Sequence, residues 1–392
     1  MRRLINTKRS FSGFKDELCH GRNKMGKRRY HRRDGQVNAR RRPRPIKRRR
    51  RRVDSRLLSR YNKPSRAMTT LDYYRRLARI FWSYKRKKTV LPYLPVRLWV
   101  EPTSYCNLAC VMCPNKDLPR SQKGYMDFGL FRKIIDEASG FVFDVHLLHR
   151  GESLLHPDFF RMVEYAHRAG LITRFHTNGA LLDEDKARRL IASGLDQFAF
   201  SFDGYDRETY ERIRVKGNFD RTVSQILRFL EIKKELGARR PVTILELIDF
   251  PGLFQGDGQR KRKEFLSRFK GLPLDKVKVK NLHNWAGDSG RASRKNRYLP
   301  CTFPWQALII FWDGSVLPCT QDFQGDSTLG NVRHTSLASL WNGQALVKLR
   351  RLILSGDIGG LTTCSQCDRL WRPQILGIPT EYLWRFLFKR MN

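Results

Sequence analysis

Cys106, Cys110 and Cys113 stand in the run TSYCNLACVMCP with the spacing C-x3-C-x2-C. Three thiolates on one short loop can hold three irons of a [4Fe–4S] cube and leave the fourth iron without a protein ligand. An open iron is a binding place for a second molecule. The competing reading is zinc completed by a ligand from elsewhere, because zinc also accepts four cysteines, or three and a histidine. A second group lies far down the chain: Cys301 and Cys319 in a C-x12-G-x4-C pattern around Gly314, then Cys364 and Cys367 as C-x2-C. Between the first two, Phe311 to Val316 reads as a hairpin with an Asp-Gly turn. Four cysteines so arranged complete one metal centre, and on spacing alone zinc fits them as well as an iron–sulfur cube does.

The first motif resembles that of the radical S-adenosylmethionine (radical SAM) superfamily, in which C-x3-C-x2-C occupies the loop after the first strand of a partial (β/α)6 barrel. The resemblance covers the chain from about Leu94 onward. It implies that SAM chelates the open iron through its amino and carboxylate groups. It also implies that the reduced cluster cleaves SAM to methionine and a 5′-deoxyadenosyl radical, which takes a hydrogen atom from substrate. The protein's part in such chemistry is mainly to position the reactants. Arg150-Gly151-Glu152 resembles the family's Gly-Gly-Glu segment, with Arg150 in place of the first glycine. Gly151 and Glu152 are then expected to meet the methionine amino group, which needs a carboxylate acceptor. Thr177-Asn178-Gly179 is similar to the TNG segment that lines the SAM site, and Ser201-Phe202-Asp203-Gly204 to the S-x-D-G segment. Arg214 follows at the distance where the family pairs an arginine with the SAM carboxylate. The resemblance thus implies Gly151, Glu152, Asn178, Ser201 and Arg214 as SAM contacts. Singly, each motif also reads as an ordinary turn or a solvated charge. Together they fall at the carboxyl ends of successive strand patterns, where barrel enzymes build their sites.

The second cysteine group resembles the auxiliary-cluster extension of the same superfamily. Its full form, SPASM, holds two clusters on seven cysteines, and its shortened form, twitch, holds one on four. No cysteine follows Cys367, which implies the short form, with one auxiliary [4Fe–4S] cluster on Cys301, Cys319, Cys364 and Cys367. With every ligand from protein, such a cluster would carry an electron rather than bind substrate.

These residues need a frame. Between Val96 and Leu282, strand patterns alternate with helical patterns about every 30 residues, the mark of stacked βα units and a parallel sheet. Strands are expected at 96–101, 141–148, 171–176, 197–202, 242–248 and 276–282. Helices are expected at 128–138 behind an Asp127 cap, 158–169 closed by Gly170, 184–193 closed by Gly194, and 219–236 closed by Gly237. Phe198, Phe200 and Phe202 alternate with Gln197, Ala199 and Ser201, so one strand face is apolar and the other polar. The fold class expected is α/β: a partial (β/α)6 TIM-like barrel over 94–292, polar inside, with a small α+β twitch or SPASM-like domain over 293–375. Leu329 to Val332 and a helix over 336–354 would pack around its cluster. An amphipathic helix over 68–93, with Leu71, Tyr74, Leu77, Ile80 and Phe81 facing its own domain, precedes the barrel, and a C-terminal helix over 376–392 follows it.

The chain has 392 residues, 78 Lys or Arg and 37 Asp or Glu, for a net charge of +41. Residues 1–67 hold 26 basic against 4 acidic side chains, few apolar ones and RRPRPIKRRRRR, so they cannot repay their ordering entropy by burial and read as a disordered tail. A nucleic-acid arm, an organelle leader and untranslated upstream sequence with the start at Met68 are the readings open for it. No run approaches the ~20 apolar residues that a membrane span needs. Clustered thiols point to a reducing cytoplasm rather than a secreted disulfide protein.

One hydrogen atom plus one electron removed makes a two-electron oxidation. The expected function is therefore oxidation of a small polar metabolite, sugar-like or phosphorylated, with a peptide substrate as the alternative and a reductant such as flavodoxin or ferredoxin as partner. Lys276, Lys278 and Lys280 would line the lumen and favour an anionic substrate, since three buried ammoniums without anions are costly. Glu246, His283 and one of the strand-six lysines are the candidates for a base. A zinc-stabilised nucleic-acid-binding protein, gripping phosphates through the tail, is the alternative of another class.

Overall fold

The computed structural model describes residues 70–250, 257–282, 284–285, 296–375 and 378–380. His283, the basic stretch 1–67 and all but three residues of the expected C-terminal helix lie outside the described residues. Helix α1, Thr70–Lys85, comes first. It sits on the domain as expected but is turned about its axis. Ile80 and Ser83 are buried and Leu77 and Tyr84 pack on the core, while Leu71, Tyr74 and Phe81 stay exposed. Polar anchors set that rotation: Arg76 donates to the Phe141 carbonyl, and Tyr84 Oη donates to the Pro300 carbonyl at 2.8 Å.

Six parallel strands follow, β1 (Arg97–Val100), β2 (Asp144–Leu147), β3 (Ile172–Thr177), β4 (Gln197–Ser201), β5 (Val242–Asp249) and β6 (Lys276–Asn281), each paired with the next. Strand β2 starts later than its apolar run suggests, because the Phe141 and Val142 amides bond back to the Ala138 carbonyl and finish the preceding helix. Helices α2 (Phe128–Ala138), α3 (Phe159–Arg168), α4 (Glu184–Ala192), α5 (Arg207–Ile213), α6 (Phe219–Glu235) and α7 (Gly258–Ser267) connect the strands. Asp127, Asp183 and Asn218 cap α2, α4 and α6 by accepting from Leu130 N, Lys186 N and Arg221 N. The strand face turned to the helices is apolar, with Phe175, Phe198, Phe200, Phe202, Leu245 and Leu247 buried. The other face carries the polar side chains.

The C-terminal strands join the same sheet, which the sequence reading did not foresee. Strand β7 (Ala307–Ile310) lies parallel to β1, Arg97 opposite Ala307 and Val100 opposite Ile310. Strands β8 (Ser315–Leu317) and β9 (Gly330–Asn331) then add antiparallel, giving the order β6-β5-β4-β3-β2-β1-β7-β8-β9. The β7–β8 hairpin turns as expected: Gly314 N donates to the Phe311 carbonyl at 2.9 Å, and Gly314 has φ +90. The expected helix over 336–354 is two, α8 (Leu337–Trp341) and α9 (Gln344–Ser355). Between them the Asn342 amide pairs with both backbone groups of Leu91 at 2.9 Å. No helix among the described residues is long and apolar enough to cross a membrane.

Candidate active site

The loop leaving β1 carries Cys106, Cys110 and Cys113. Backbone bonds fix it: Ala109 N and Val111 N donate to the Val215 and Ile213 carbonyls at 3.0 Å, bracketing Arg214, and Cys113 N donates to the Cys110 carbonyl at 3.0 Å. All three thiols are free. Burial pushes Cys106 up to about 12, with Cys110 and Cys113 adding to the effect, and burial raises those two as well. Left to themselves at neutral pH they stay protonated. Iron or another cation deprotonates its thiol ligands outright, so this trio suits a metal centre. Among the described residues no three His, Cys, Asp or Glu side chains converge on a single-ion site; a cube asks for a wider spread, because each thiolate takes a different iron.

The neighbouring loops press against this one. A Cβ on Gly151 would lie 2.3 Å from the Thr103 carbonyl oxygen and 2.5 Å from that of Tyr105, so only glycine fits. Glu152 is buried and accepts from Asn178 N at 2.8 Å, Thr177 Oγ1 at 3.0 Å and Leu154 N at 3.2 Å. Burial raises its pKa, and those donors work against the rise. A carboxylate has about four lone-pair sites, so one remains for a ligand ammonium. Asn178 Nδ2 donates to Asn107 Oδ1 at 2.8 Å, tying the segment after β3 to the cysteine loop. Ser201 ends β4 on the polar face, opposite Glu246. Arg214 is buried, donates through Nε and Nη2 to Asp203 Oδ2 at 3.0 and 2.5 Å, and holds Nη1 3.9 Å from Cys110 Sγ. Four of the five expected SAM contacts thus touch the cysteine loop, Gly151, Glu152 and Asn178 through Tyr105 and Asn107 and Arg214 through Cys110, while Ser201 is placed by the register of β4 alone.

Arg150, the departure from the Gly-Gly-Glu pattern, has a partner that sequence reasoning missed. Glu101, at the end of β1, accepts from Arg150 Nε at 2.8 Å, Nη2 at 2.9 Å and N at 3.1 Å. Burial alone would raise the Glu101 carboxyl, but His149 and Arg150 outweigh it and hold it at about 2. The Arg150 guanidinium also lies 3.6 Å over the Phe311 ring, and His149 Nε2 meets the Thr320 carbonyl at 3.3 Å. Thr320 follows Cys319. The pair therefore bolts the loop after β2 onto the second cysteine group.

In that group Cys301 precedes β7, Cys319 follows β8, and Cys364 and Cys367 close on each other through a Cys367 N to Cys364 carbonyl bond of 3.2 Å. All four thiols are free, and their charges act on one another. Burial raises Cys319 to about 11 and lifts Cys364 and Cys367 further. This donor set also suits a metal centre.

Across the polar face, His176 Nδ1 lies 3.6 Å and Lys280 Nζ 2.5 Å from Glu246 Oε1. Burial pulls His176 down to about 4, against the opposing charge of Glu246. Burial pushes Glu246 up, yet His176 and Lys280 prevail and the net shift is downward. Glu246 is therefore a carboxylate paired with Lys280 and facing His176 across the polar face. The alternation in ITRFHT, with Arg174 and His176 on the face of Gln197 and Ser201, could have shown this. The three lysines are not buried: Lys276 and Lys280 are exposed and Lys278 half-buried, which removes the argument that they need anions to be tolerated.

Residues 100–254 match the model of the radical SAM superfamily, and residues 301–368 match that of the SPASM iron-sulfur cluster-binding domain. The chain belongs to the radical SAM superfamily. This radical SAM enzyme binds a [4Fe–4S] cluster and SAM in its core, and its SPASM region is an iron–sulfur cluster-binding domain. It is 24% identical over 320 residues to the tungsten-containing aldehyde ferredoxin oxidoreductase cofactor-modifying protein of Pyrococcus furiosus, across 69% of this chain and 87% of that one. It is 24% identical over 277 residues to the S-adenosyl-L-methionine-dependent 2-deoxy-scyllo-inosamine dehydrogenase of Niallia circulans, across 69% and 92%. It is 25% identical over 315 residues to the PqqA peptide cyclase of Gluconobacter oxydans, across 71% and 84%.

Proposed function

We propose that this radical SAM enzyme is an oxidoreductase that removes a hydrogen atom, a proton and an electron from a small, polar, anionic substrate. The observation that carries this reading is the second set of four free thiols, fixed to the core through His149, Arg150 and the β1–β7 pairing. Cys301, Cys319, Cys364 and Cys367 complete one auxiliary cluster and leave no iron open, which suits an electron acceptor. Cys106, Cys110 and Cys113 hold the other, with an iron left for SAM. When bound, that cluster and SAM supply a carbon-centred radical able to take a substrate hydrogen.

The chain's residues do the rest. Glu152 accepts the SAM ammonium, Arg214 faces its carboxylate while staying on Asp203, and Gly151, Asn178 and Ser201 shape the pocket. The His176–Glu246 pair, its side chains 3.6 Å apart, takes the proton. On the same face Arg97, Arg174, Lys276, Lys278 and Lys280 outnumber Asp144 and Glu246, so an anionic substrate is drawn in. The inosamine dehydrogenase relative supports a sugar-like substrate, and a flavodoxin or ferredoxin in a reducing compartment would supply the electron. A peptide substrate is the second reading, favoured by β6, which is the sheet's outer strand among the described residues and exposes Val277 and Val279. A peptide can add to such an edge.

The test is deuterium transfer into 5′-deoxyadenosine from candidates labelled at one carbon. A labelled sugar phosphate that transfers deuterium and leaves as the oxidised product supports the proposal. Transfer from peptides alone moves the assignment to the second reading. Anaerobic iron analysis should give about eight irons per chain, four for each cube.

A further inference from the structure

We propose that helix α1 is a peripheral anchor that lays its outward face on an anionic lipid surface. Its inward face is satisfied by Ile80, Ser83, Leu77 and Tyr84 on the domain. The outward face of a surface helix is ordinarily polar. Here it is apolar: Leu71 and Trp82 are each 56% exposed, Tyr74 43% and Phe81 39%. At 3.6 residues per turn these four, with Ala78 among them, share one side of the helix. Arg75, Arg79 and Arg86 run along its border and Lys85 closes its end. The Arg86 guanidinium stands 5.6 Å over the Trp82 ring. Leucine and aromatic rings on one side with cations beside them are what an interfacial helix presents to headgroups and acyl chains.

Charge selects the occupant. Residues 1–67 hold 26 basic against 4 acidic side chains, and Lys87 and Lys88 follow the helix. Residues 381–390, EYLWRFLFKR, are the chain's own apolar alternative for this face, but they are net positive too. Anionic lipid complements both the cations and the apolar strip, and each Lys or Arg near such a surface adds to binding. Nucleic acid would match the charge and leave Leu71, Tyr74, Phe81 and Trp82 in water. The absence of a membrane-spanning helix among the described residues fits a chain that lies on a surface.

The experiment is cosedimentation of the full chain with phosphatidylcholine vesicles, with and without phosphatidylserine, together with quenching of tryptophan fluorescence by brominated acyl chains. The parent should bind the phosphatidylserine vesicles and be quenched. Leu71→Ser/Trp82→Ser and, separately, Arg75→Gln/Arg79→Gln should each weaken binding about tenfold or more, with an unchanged thermal midpoint. Equal binding by the parent and the Leu71→Ser/Trp82→Ser variant, displaced by DNA, would assign the attraction to the basic tail and overturn the proposal. No binding to either vesicle also overturns it.

Discussion

Arg150 stands where the family's motif has a glycine, and Glu101 explains how the chain tolerates it. A guanidinium at that depth needs a carboxylate, and Glu101 provides both oxygens. Removing one partner of a buried pair leaves the other charge uncompensated, which costs about 3–5 kcal/mol. Arg150→Met should therefore lower the unfolding free energy measured in urea by that amount, while Arg150→Met combined with Glu101→Met should recover much of it. The pH dependence has a definite sign. Glu101 sits at about 2 in the folded chain, against about 4.3 unfolded, so its stabilisation is present above pH 4.3 and lost as pH falls toward 2. His176 acts in a different window. Its folded value of about 4 lies below the unfolded ~6.5, so the unfolded chain binds the proton first and stability falls as pH drops from 6.5 toward 4. Thermal midpoints measured at pH 7 and pH 5 should separate less in His176→Gln than in the parent. Equal separation would mean that His176 is not held neutral by its surroundings.

The strands, helix caps and cysteine loops were largely legible in the sequence because local chemistry decides them. Asp127 and Gly170 act through neighbouring backbone, and the phenylalanine alternation in β4 follows from strand geometry. What stayed hidden depends on partners remote in sequence. Nothing in ALII announces that β7 lies beside β1, the inward face of α1 is set by Arg76 and Tyr84 finding distant carbonyls, and the break between α8 and α9 follows from Asn342 reaching Leu91. The β7–β8 hairpin offers a sharp test of how an element serves its site. Gly314 has φ +90, and a Cβ there would sit 2.6 Å from Asn331 Oδ1. Gly314→Ala should cost about 1–3 kcal/mol and disturb the approach of Cys319 to Cys301. Anaerobically reconstituted Gly314→Ala protein should lose the irons of the auxiliary site first, and the remaining iron should still respond to SAM in its spectrum.

At the scale of the whole molecule, one hydrogen-bonded sheet carries both cysteine groups. Their relation is therefore set by backbone pairing rather than by a linker: β1 leads into Cys106, Cys301 leads into β7, which pairs with β1, and Glu101, Arg150 and Phe311 fill the join. The net charge of +41 says little about this machinery, since residues 1–67, which precede every motif, hold 26 basic and 4 acidic side chains. The functional division should instead follow the two thiol sets. If the core set serves SAM and the other only receives an electron, removing the second set must uncouple two measurable products. Cys364→Ala/Cys367→Ala should fall from about eight irons to about four, still form 5′-deoxyadenosine from SAM and reductant, and yield no oxidised substrate. Cys110→Ala should abolish 5′-deoxyadenosine altogether while the auxiliary irons remain. Oxidised product at the parent rate from the first variant would show that the electron leaves by another route, and the oxidoreductase assignment would then have to rest on the substrate alone.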